Sequence, residues 1–241
     1  MPIRPSVPFA NRLLAALPRA ERERFVADCE PVALAFAQVL AESGERIRHV
    51  YFPQGCLIAL TASTDARGSL EVGLIGDEGM LGATLALDGE RSLLRALVQG
   101  AGPALRMEAQ PFRGALAASP ALRCELNRYL CVMLRQLAQA SACNRFHVLE
   151  ERLARWLLMT QDRAHADAFL LTHAFMAQML GVRRVGVTKA ASSLQERKLI
   201  SYRRGHVEVL DRPGLEAAAC GCYAADTVNY ARTMAGGHRP G

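Results

Sequence analysis

Basic side chains concentrate in one short stretch of the sequence, residues 182–206. Seven arginines and lysines stand there against one acidic residue, Glu196, a net charge of +6 that equals the formal net charge of the whole chain. Such a cluster attracts nucleic-acid phosphates and positions a protein on the duplex before any base is read. A solvated basic face on an ordinary helical hairpin would have the same charge, so the elements that carry these residues must decide between the two interpretations.

The same region has the pattern of two short helices joined by a tight turn. Thr172 can cap the first helix through its hydroxyl, and Gly181 stands where that helix must end. The second helix opens with Arg183 and Arg184, at the end that a DNA-reading helix points into the major groove. Apolar and small residues recur where the two helices would cross: Met176, Ala177, Leu180, Val182, Val187 and Ala190. This combination favours a DNA-binding helix-turn-helix over the hairpin.

Two alternating strands follow the second helix. Ile200 and Tyr202 precede a turn at Arg204-Gly205, and Val207 and Val209 follow it, which predicts a two-stranded wing. We therefore expect DNA contacts from the helix-turn-helix and the wing together. The candidate DNA-binding residues are Thr172, Arg183, Arg184, Val185, Thr188, Lys189, Arg203 and Arg204.

The first half of the chain has a different pattern. From about residue 32 to 112, short apolar runs such as HVYFP, CLIAL and EVGLIG alternate with Gly, Pro, Asp and Ser, which predicts an antiparallel β-roll sensor domain. A helix over residues 11–27, interrupted at Pro18, precedes it. Its expected buried face consists of Leu13, Leu14, Leu17 and Phe25.

A long helix should begin near Ser119 and end near Phe146. Its apolar residues recur in steps of four and three, the spacing of a short coiled coil, which predicts a parallel homodimer. A helix packed on its own sensor domain uses much the same spacing, so that alternative stays open. The predicted seam is Leu126, Leu130, Met133, Leu137 and Ala140.

The predicted fold is therefore α+β, in three parts: a β-roll sensor domain (1–118), a dimerisation helix (119–147) and a winged helix-turn-helix domain (148–241). Within the last part, an amphipathic helix buries Leu153, Trp156, Leu157 and Thr160, and a short strand follows before Thr172. The stretch LEAAACGCY predicts one further helix, and we expect the final AGGHRPG to be disordered.

Composition adds limits on the class of protein. The chain is 51% hydrophobic with a mean hydropathy of +0.07, typical of a globular protein. Its N-terminal prolines and arginines match neither a secretory signal nor a membrane span. We expect a cytoplasmic protein whose seven scattered cysteines are reduced. No nucleophile elbow, P-loop or dinucleotide fingerprint is present, which argues against an enzyme.

With these residues in place, the chain resembles the Crp/Fnr superfamily of bacterial transcription regulators over nearly its full length. The resemblance rests on MLGVRRVGVTKAASSLQERKLI in the C-terminal part and on IRHVYFPQGCLIAL and EVGLIGDEGMLG in the sensor part. It implies a homodimer on a palindromic double-stranded DNA operator, RNA polymerase as a further partner, and a small-molecule effector. Arg184 and Lys189 match base-reading positions, but Val185 replaces a glutamate, so the operator should differ there.

The resemblance also places a ligand pocket, with departures that argue against cyclic AMP. In members that respond to it, a turn glutamate binds the ribose and an Arg-Ser pair binds the phosphate. Here the pair survives as Arg91-Ser92, but Met80 replaces the glutamate, and Leu137-Ala138 replace a polar pair facing the adenine. Each lost partner costs about 1–3 kcal/mol. The candidate pocket residues are Gly79, Met80, Leu81, Gly82, Arg91, Ser92, Leu137 and Ala138.

The sequence predicts no metal and no cofactor. Oxygen-sensing relatives hold an iron–sulfur centre with several cysteines ahead of the roll, where this chain has only Cys29. Cys220 and Cys222 offer two thiols, but no second pair lies near them in the sequence. His49 stays open as a haem ligand, although a lone histidine is more often structural. The functional alternative is a module that binds a cyclic nucleotide or another small ligand, or that binds a protein, and in which DNA binding is secondary or lost.

Overall fold

The computed structural model describes residues 11–63 and 68–235, and it begins with two short helices, α1 (Arg12–Ala15) and α2 (Arg19–Ala27). The Asn11 side chain caps α1 by accepting hydrogen bonds from two backbone amides. Pro18 lies immediately before α2, where its fixed φ and missing N–H are tolerated. The predicted break at Pro18 is confirmed. The predicted buried face is confirmed too: Leu13, Leu14, Leu17 and Phe25.

Seven strands then form the antiparallel roll that the sequence predicted. One sheet has the order β1–β7–β3, and the other has the order β2–β6–β4–β5. A short 3-10 segment, Ala83–Leu87, lies between β5 and β6. The strands are β1 (Glu30–Leu34), β2 (Val39–Ala41), β3 (His49–Pro53), β4 (Leu57–Ser63), β5 (Ser69–Ile75), β6 (Arg95–Gly100) and β7 (Gly102–Glu108).

An aromatic cluster joins the roll to the helices on either side of it. Phe25 meets Phe52 edge to face with 5.3 Å between ring centroids, and both rings contact Phe112. Such edge-to-face pairs add to the stabilisation that comes from burying the rings. This core fixes α2 and the following helix, α3 (Ala109–Ala118), against strand β3.

The long helix, α4, spans Pro120–Phe146. The Leu122 amide donates a hydrogen bond to Ser119 Oγ at 3.0 Å, so Ser119 caps the helix. Pro120 occupies the first turn, a position that favours proline. The helix ends at His147, whose backbone is extended. The predicted start near Ser119 and end near Phe146 are both confirmed.

The predicted seam of α4 faces the interior of its own chain, which corrects the coiled-coil interpretation of those residues. Leu126 and Leu130 pack into the core of the roll, and Ala140 is buried as well. Met133 and Leu137 are half-buried. A spacing of three and four residues fits either arrangement, so only the tertiary contacts could separate them. A second stripe with this spacing is exposed: Cys124, Asn127, Cys131, Leu134, Ala138, Ser141 and Arg145.

The C-terminal part contains five helices and a small sheet of order β8–β10–β9. The predicted single tail helix is wrong, because LEAAACGCY spans the end of one helix and the start of the next. The final stretch AGGHRPG lies almost wholly outside the described residues. The elements are α5 (Leu149–Ala164), β8 (Ala168–Leu170), α6 (His173–Leu180), α7 (Arg184–Glu196), β9 (Ile200–Arg203), β10 (His206–Val209), α8 (Arg212–Ala218) and α9 (Cys222–Met234).

Among the described residues, no helix is both long enough and apolar enough to cross a membrane.

Candidate nucleic-acid interface

Helices α6 and α7 are joined by the tight turn that the sequence predicted. Thr172 caps α6, with its hydroxyl accepting a hydrogen bond from the Phe175 amide at 3.1 Å. Gly181 ends α6 with a φ of +64°, a left-handed conformation in which a side chain would be strained. The Val182 amide then bonds back to the Ala177 carbonyl at 3.0 Å, which closes the turn. Together these contacts set the angle at which α7 leaves the turn.

A shared core holds α7 on α5 and α6. Val187 and Leu194 of α7 are completely buried, and Met176 of α6 is nearly so. They pack against Leu153 and Leu157 of α5 in one continuous apolar cluster. The predicted contacts of Met176, Leu180, Val182, Val187 and Ala190 are confirmed by this cluster. The opposite face of α7 is therefore left to solvent.

All eight candidate DNA-binding residues are exposed on one side of this unit: Thr172, Arg183, Arg184, Val185, Thr188, Lys189, Arg203 and Arg204. Arg183 occupies the N-cap of α7, and no side chain bonds to the amides of its first turn. Open amides and the helix dipole make this end attractive to an anion such as a phosphate. The geometry thus combines free amides, cations and one apolar side chain, Val185, at a single helix end.

The wing is positioned by contacts that sequence reasoning missed. The rings of His173 and Tyr202 are stacked, with 4.0 Å between their centroids, so α6 supports strand β9 directly. Gln195 of α7 accepts a hydrogen bond from the Tyr202 amide at 2.7 Å. Between the strands, Arg204 and Gly205 both have positive φ, the conformation of a type I′ hairpin turn. No local signal could identify His173 or Gln195, because their partners are fixed only by tertiary structure.

His173 also contacts helix α7. Its Nδ1 lies 3.0 Å from the Thr188 hydroxyl, which in turn donates to the Arg184 carbonyl. Burial of the ring, together with the nearby Arg184 guanidinium, lowers the pKa of His173. Because the Thr188 proton is directed to the Arg184 carbonyl, a neutral imidazole protonated at Nδ1 can donate to the Thr188 oxygen and can stack on Tyr202 without adding a charge.

Two residues in and next to α7 contact α5. Arg197, part of the basic stretch, forms an ion pair with Glu150 of α5 at 2.9 Å, so its charge is partly balanced within the protein. Gly186 lies on the face of α7 that packs against α5. A Cβ atom there would stand 3.0 Å from the Leu149 side chain, so the glycine permits close packing of α7 on α5.

The second candidate site is a cavity of about 240 Å³ between the roll and α4. Its interior is lined mainly by aliphatic side chains, and Arg46, Arg48 and His49 stand at its edge. Met80 and Leu85 are buried. The volume lies below the range of about 300–1,000 Å³ that is usual for ligand pockets. The cavity suits a small, largely apolar molecule.

Only part of the predicted pocket lines this cavity: Met80, Leu81, Gly82, Ser92 and Leu137. Ala138 is exposed on the other side of α4. Arg91 is exposed and donates to the Gly44 carbonyl at 2.8 Å. Gly79 contacts α4 instead, since a Cβ atom there would overlap the Tyr129 hydroxyl. The cavity therefore does not include these three residues of the predicted pocket.

The carboxylate of Glu78, next to this loop in the sequence, bonds to other parts of the protein. Glu78 is buried and forms an ion pair with Arg163 of α5, with 2.6 Å between Oε1 and Nε. Its second oxygen accepts a hydrogen bond from the Gly76 amide at 3.1 Å. Glu78 therefore joins the sensor domain to α5 and is not directed into the cavity.

The sequence of residues 151–218 matches the model of the Crp-like helix-turn-helix domain. The C-terminal part of this chain is a Crp-like helix-turn-helix domain. The match begins within α5 and ends at α8, so it includes every candidate DNA-binding residue. A domain of this type is typical of DNA-binding transcription regulators, and the chain is one by this evidence. No curated protein sequence matches the chain.

Solved structures show that the fold extends beyond this domain. A Crp/Fnr-family regulator from Eubacterium rectale is 14% identical, with a TM-score of 0.66 over 86% of this chain and 96% of its own. FixK2 from Bradyrhizobium japonicum is 14% identical, with a TM-score of 0.68 over 80% and 98%. The c-di-GMP-responsive regulator CLP from Xanthomonas campestris is 15% identical, with a TM-score of 0.65 over 80% and 99%. The resemblance to Crp/Fnr regulators is confirmed in fold.

Proposed function

We propose that two copies of this chain bind an inverted-repeat operator and regulate transcription from it in the bacterial cytoplasm. The observation that carries the proposal is the exposed, uncapped N-terminus of α7, which places Arg184, Val185 and Lys189 beside a basic wing. In a helix-turn-helix, this end of the second helix enters the major groove. The division into a sensor domain (1–118), a dimerisation helix (119–147) and a DNA-binding domain (148–241) belongs to the same proposal.

The exposed residues divide into two groups by the chemistry that they offer. Arg184 and Lys189 can donate to guanine O6 and N7, and Val185 can contact a thymine methyl. Arg183, Arg203 and Arg204 lie at the margins of the surface and suit phosphate contacts, which position the protein without reading sequence. The hydroxyls of Thr172 and Thr188 already form local hydrogen bonds, so we assign these two residues contacts with the DNA phosphate backbone and not with bases.

The exposed stripe of α4 is the surface we assign to the dimer. Seven residues repeat at steps of three and four along about six turns of helix, and most of them are small or apolar. Leu134, at the centre, is 66% exposed in the single chain. A second copy related by a two-fold axis would cover this leucine with its own. That arrangement would also present two α7 helices to successive major grooves.

The cavity in the roll is the place for an effector, and its chemistry favours a small apolar molecule over a cyclic nucleotide. Its walls supply few hydrogen-bonding groups, while Glu78 and Arg91 are bonded elsewhere. An effector would act by binding one of two dimer conformations more tightly than the other. A role as a small-ligand module without DNA binding is the second candidate function, which this cavity supports. Contact with RNA polymerase stays a prediction of the resemblance.

Selection of binding sites from random duplex DNA, followed by footprinting, tests the proposal. We expect an enriched inverted repeat with half-sites about 34 Å apart along the helix axis. A duplex with one half-site scrambled is the control, and it should bind much more weakly. Enrichment of no sequence above bulk DNA at moderate salt, or of a site without two-fold symmetry, would contradict the proposal.

A further inference from the structure

Four side chains that prefer soft or borderline metal ions converge where the long helix meets the C-terminal helices. Cys143 and His147 come from the end of α4, Cys220 comes from the turn between α8 and α9, and Cys222 is the first residue of α9. The three sulfur atoms and one imidazole nitrogen all lie within 4.8 Å of one another. The three cysteines are buried and His147 is half-buried. The pairs are separated by more than seventy residues in the sequence, so only the fold brings them together.

The spacing of each pair is suited to binding one ion. Cys143 and His147 are four residues apart, which places both on one face of α4. Cys220 and Cys222 flank Gly221, and both sulfur atoms approach that face: Cys220 Sγ lies 3.5 Å from Cys143 Sγ, and Cys222 Sγ lies 3.5 Å from His147 Nδ1. A tetrahedral zinc site with bonds of about 2.0–2.3 Å has ligand atoms about 3.5–3.8 Å apart.

We propose that this cluster binds one zinc ion through the thiolates of Cys143, Cys220 and Cys222 and Nδ1 of His147. Four protein ligands complete a tetrahedral shell and leave no open position for substrate, so the site is structural in type. The donor set, three sulfurs and one imidazole, is the one for which zinc is suited and for which magnesium or calcium is not. Metal binding would displace the three thiol protons to solvent.

The surroundings fit the charge of such a site. Three thiolates and a divalent ion carry a net charge of −1, and Arg152 and Arg155 lie near enough for their charges to act on Cys143 and Cys220. Both arginines have a buried Nε without a hydrogen-bond partner among the described residues. Gln139 supports the ligand shell, since its Nε2 donates to Cys222 Sγ at 2.9 Å. Hydrogen bonds to ligand atoms of this kind orient them toward the metal.

The geometry separates this site from two other uses of cysteine. All seven cysteines are free thiols, and the 3.5 Å between Cys143 and Cys220 is well beyond the roughly 2.05 Å of a disulfide bond. A single disulfide would also leave Cys222 and His147 without a role. A cluster with two or four irons needs more space between its ligands than a single ion does. Four ligand atoms this close together indicate a mononuclear site.

The position of the site gives it a mechanical consequence. His147 is the residue at which α4 ends, and α5 begins two residues later. Zinc would therefore tie the break between the two helices to the turn between α8 and α9. It would fix the DNA-binding domain on the long helix. This inference does not depend on which operator or effector the protein uses.

Metal analysis of the full-length protein, purified under reducing conditions, tests the proposal. We expect one zinc per chain by mass spectrometry of the metal, and a fall to background in Cys220→Ser and Cys222→Ser variants. Cys29→Ser is the matched control, since Cys29 lies just after α2, outside both the cluster and the exposed stripe of α4, and this variant should retain the full zinc content. Retention of zinc by the Cys222→Ser variant would overturn the assignment.

A second measurement covers the case in which a variant does not fold. The wild-type chain is stripped with a chelator, its helix content is checked by circular dichroism, and Co²⁺ is added. Tetrahedral thiolate ligation gives intense visible bands and thiolate-to-cobalt charge transfer at one equivalent, and zinc should abolish both. Weak octahedral bands, stoichiometric iron with sulfide, or a Cys143–Cys220 disulfide in the protein as purified would each contradict a zinc site.

Discussion

The residues at the start of α7 make different contributions, and mutation should separate them. Arg184→Ala should reduce operator affinity by about 1–3 kcal/mol and relax the preference at one base pair, because it removes a bidentate donor to a base. Arg203→Ala in the wing serves as the contrast. It should weaken binding to operator and random DNA alike. The slope of log affinity against log salt concentration should fall by about one, since one phosphate contact is lost. Binding titrations on both DNAs at several salt concentrations measure these effects.

Equal losses on operator and random DNA for Arg184→Ala would contradict its assignment as a base-reading residue.

Glu71 should make stability depend on pH. It lies on β5 and accepts a hydrogen bond from Trp156 of α5 at 3.1 Å. Burial raises the pKa of Glu71 from 4.5 to about 7, although the Trp156 bond and the charges of Arg155 and Arg163 oppose the shift. Between these pH values the folded chain holds a proton that the unfolded chain has released. The free energy of unfolding therefore falls as pH rises through this window.

Urea denaturation at pH 5, 6 and 7 tests this pH dependence. Glu71→Gln should flatten the profile, and at pH 7 it should be more stable than wild type by on the order of 1–3 kcal/mol. Glu208→Gln changes an exposed glutamate on β10 and should leave the profile unaltered. If Glu71→Gln kept the wild-type slope, another group would be responsible.

Helix α4 has two apolar stripes, one buried within its own chain and one exposed. The stripe with Leu126 and Leu130 is buried in the chain's own core, and the stripe centred on Leu134 is exposed. Leu134→Glu should remove two buried leucines from each dimer. It should weaken association by about 3 kcal/mol, or roughly 100-fold. Sedimentation equilibrium of the wild type and the variant measures this difference.

Val228→Glu is the matched control for this prediction, since Val228 of α9 is 64% exposed and lies away from the stripe. It should leave the association constant unchanged. A Leu134→Glu variant that stays dimeric would place the interface elsewhere. The stripe also offers a direct readout, because Cys124 and Cys131 lie on it and should become cross-linked between subunits under mild oxidation.

A buried ion pair joins the β-roll to helix α5 of the C-terminal part. Glu78 and Arg163 are 6% and 10% exposed, so removing either partner leaves an uncompensated charge in the interior. Glu78→Gln or Arg163→Met should therefore cost about 3–5 kcal/mol of unfolding free energy, and the double variant should cost less than the sum of the two. Urea denaturation of the four proteins measures the coupling.

The exposed pair Arg19 and Glu23 is the control for that cycle. Its partners are 83% and 60% exposed, so we expect a coupling below about 1 kcal/mol. Additive effects at Glu78 and Arg163 would mean that the pair does not couple the two domains.

The protein should not respond to cyclic AMP or cyclic GMP. A nucleotide can shift the protein between conformations only through a difference in affinity, and the contacts for that affinity are missing. Met80 cannot accept a ribose hydrogen bond, and Arg91 is bonded to the Gly44 carbonyl. Titration calorimetry with each nucleotide should show no binding. A low-micromolar dissociation constant together with tighter operator binding would overturn this expectation.

The sequence by itself determined the order of the elements and the chemistry of the DNA-binding surface. Thr172, Gly181 and the Arg204-Gly205 turn act through their own backbone geometry, which depends on residue type and near neighbours. Likewise, the apolar residues of α5, α6 and α7 recur on one face of each helix, and only that face could be buried. For these reasons the helix-turn-helix, the wing and the ends of α4 follow from local rules.

Tertiary structure alone decided which partner each ambiguous surface takes. The two stripes of α4 have the same spacing, so only the position of the roll selects the one that is buried. Arg91 bonds to the carbonyl of Gly44 in a distant loop, which removed it from the predicted pocket, and Glu78 pairs with Arg163 of α5. Cys143, His147, Cys220 and Cys222 form one cluster only after α4 and the α8–α9 turn have come together. Contacts between residues far apart in the chain depend on how elements pack, and no local pattern in the sequence records that packing.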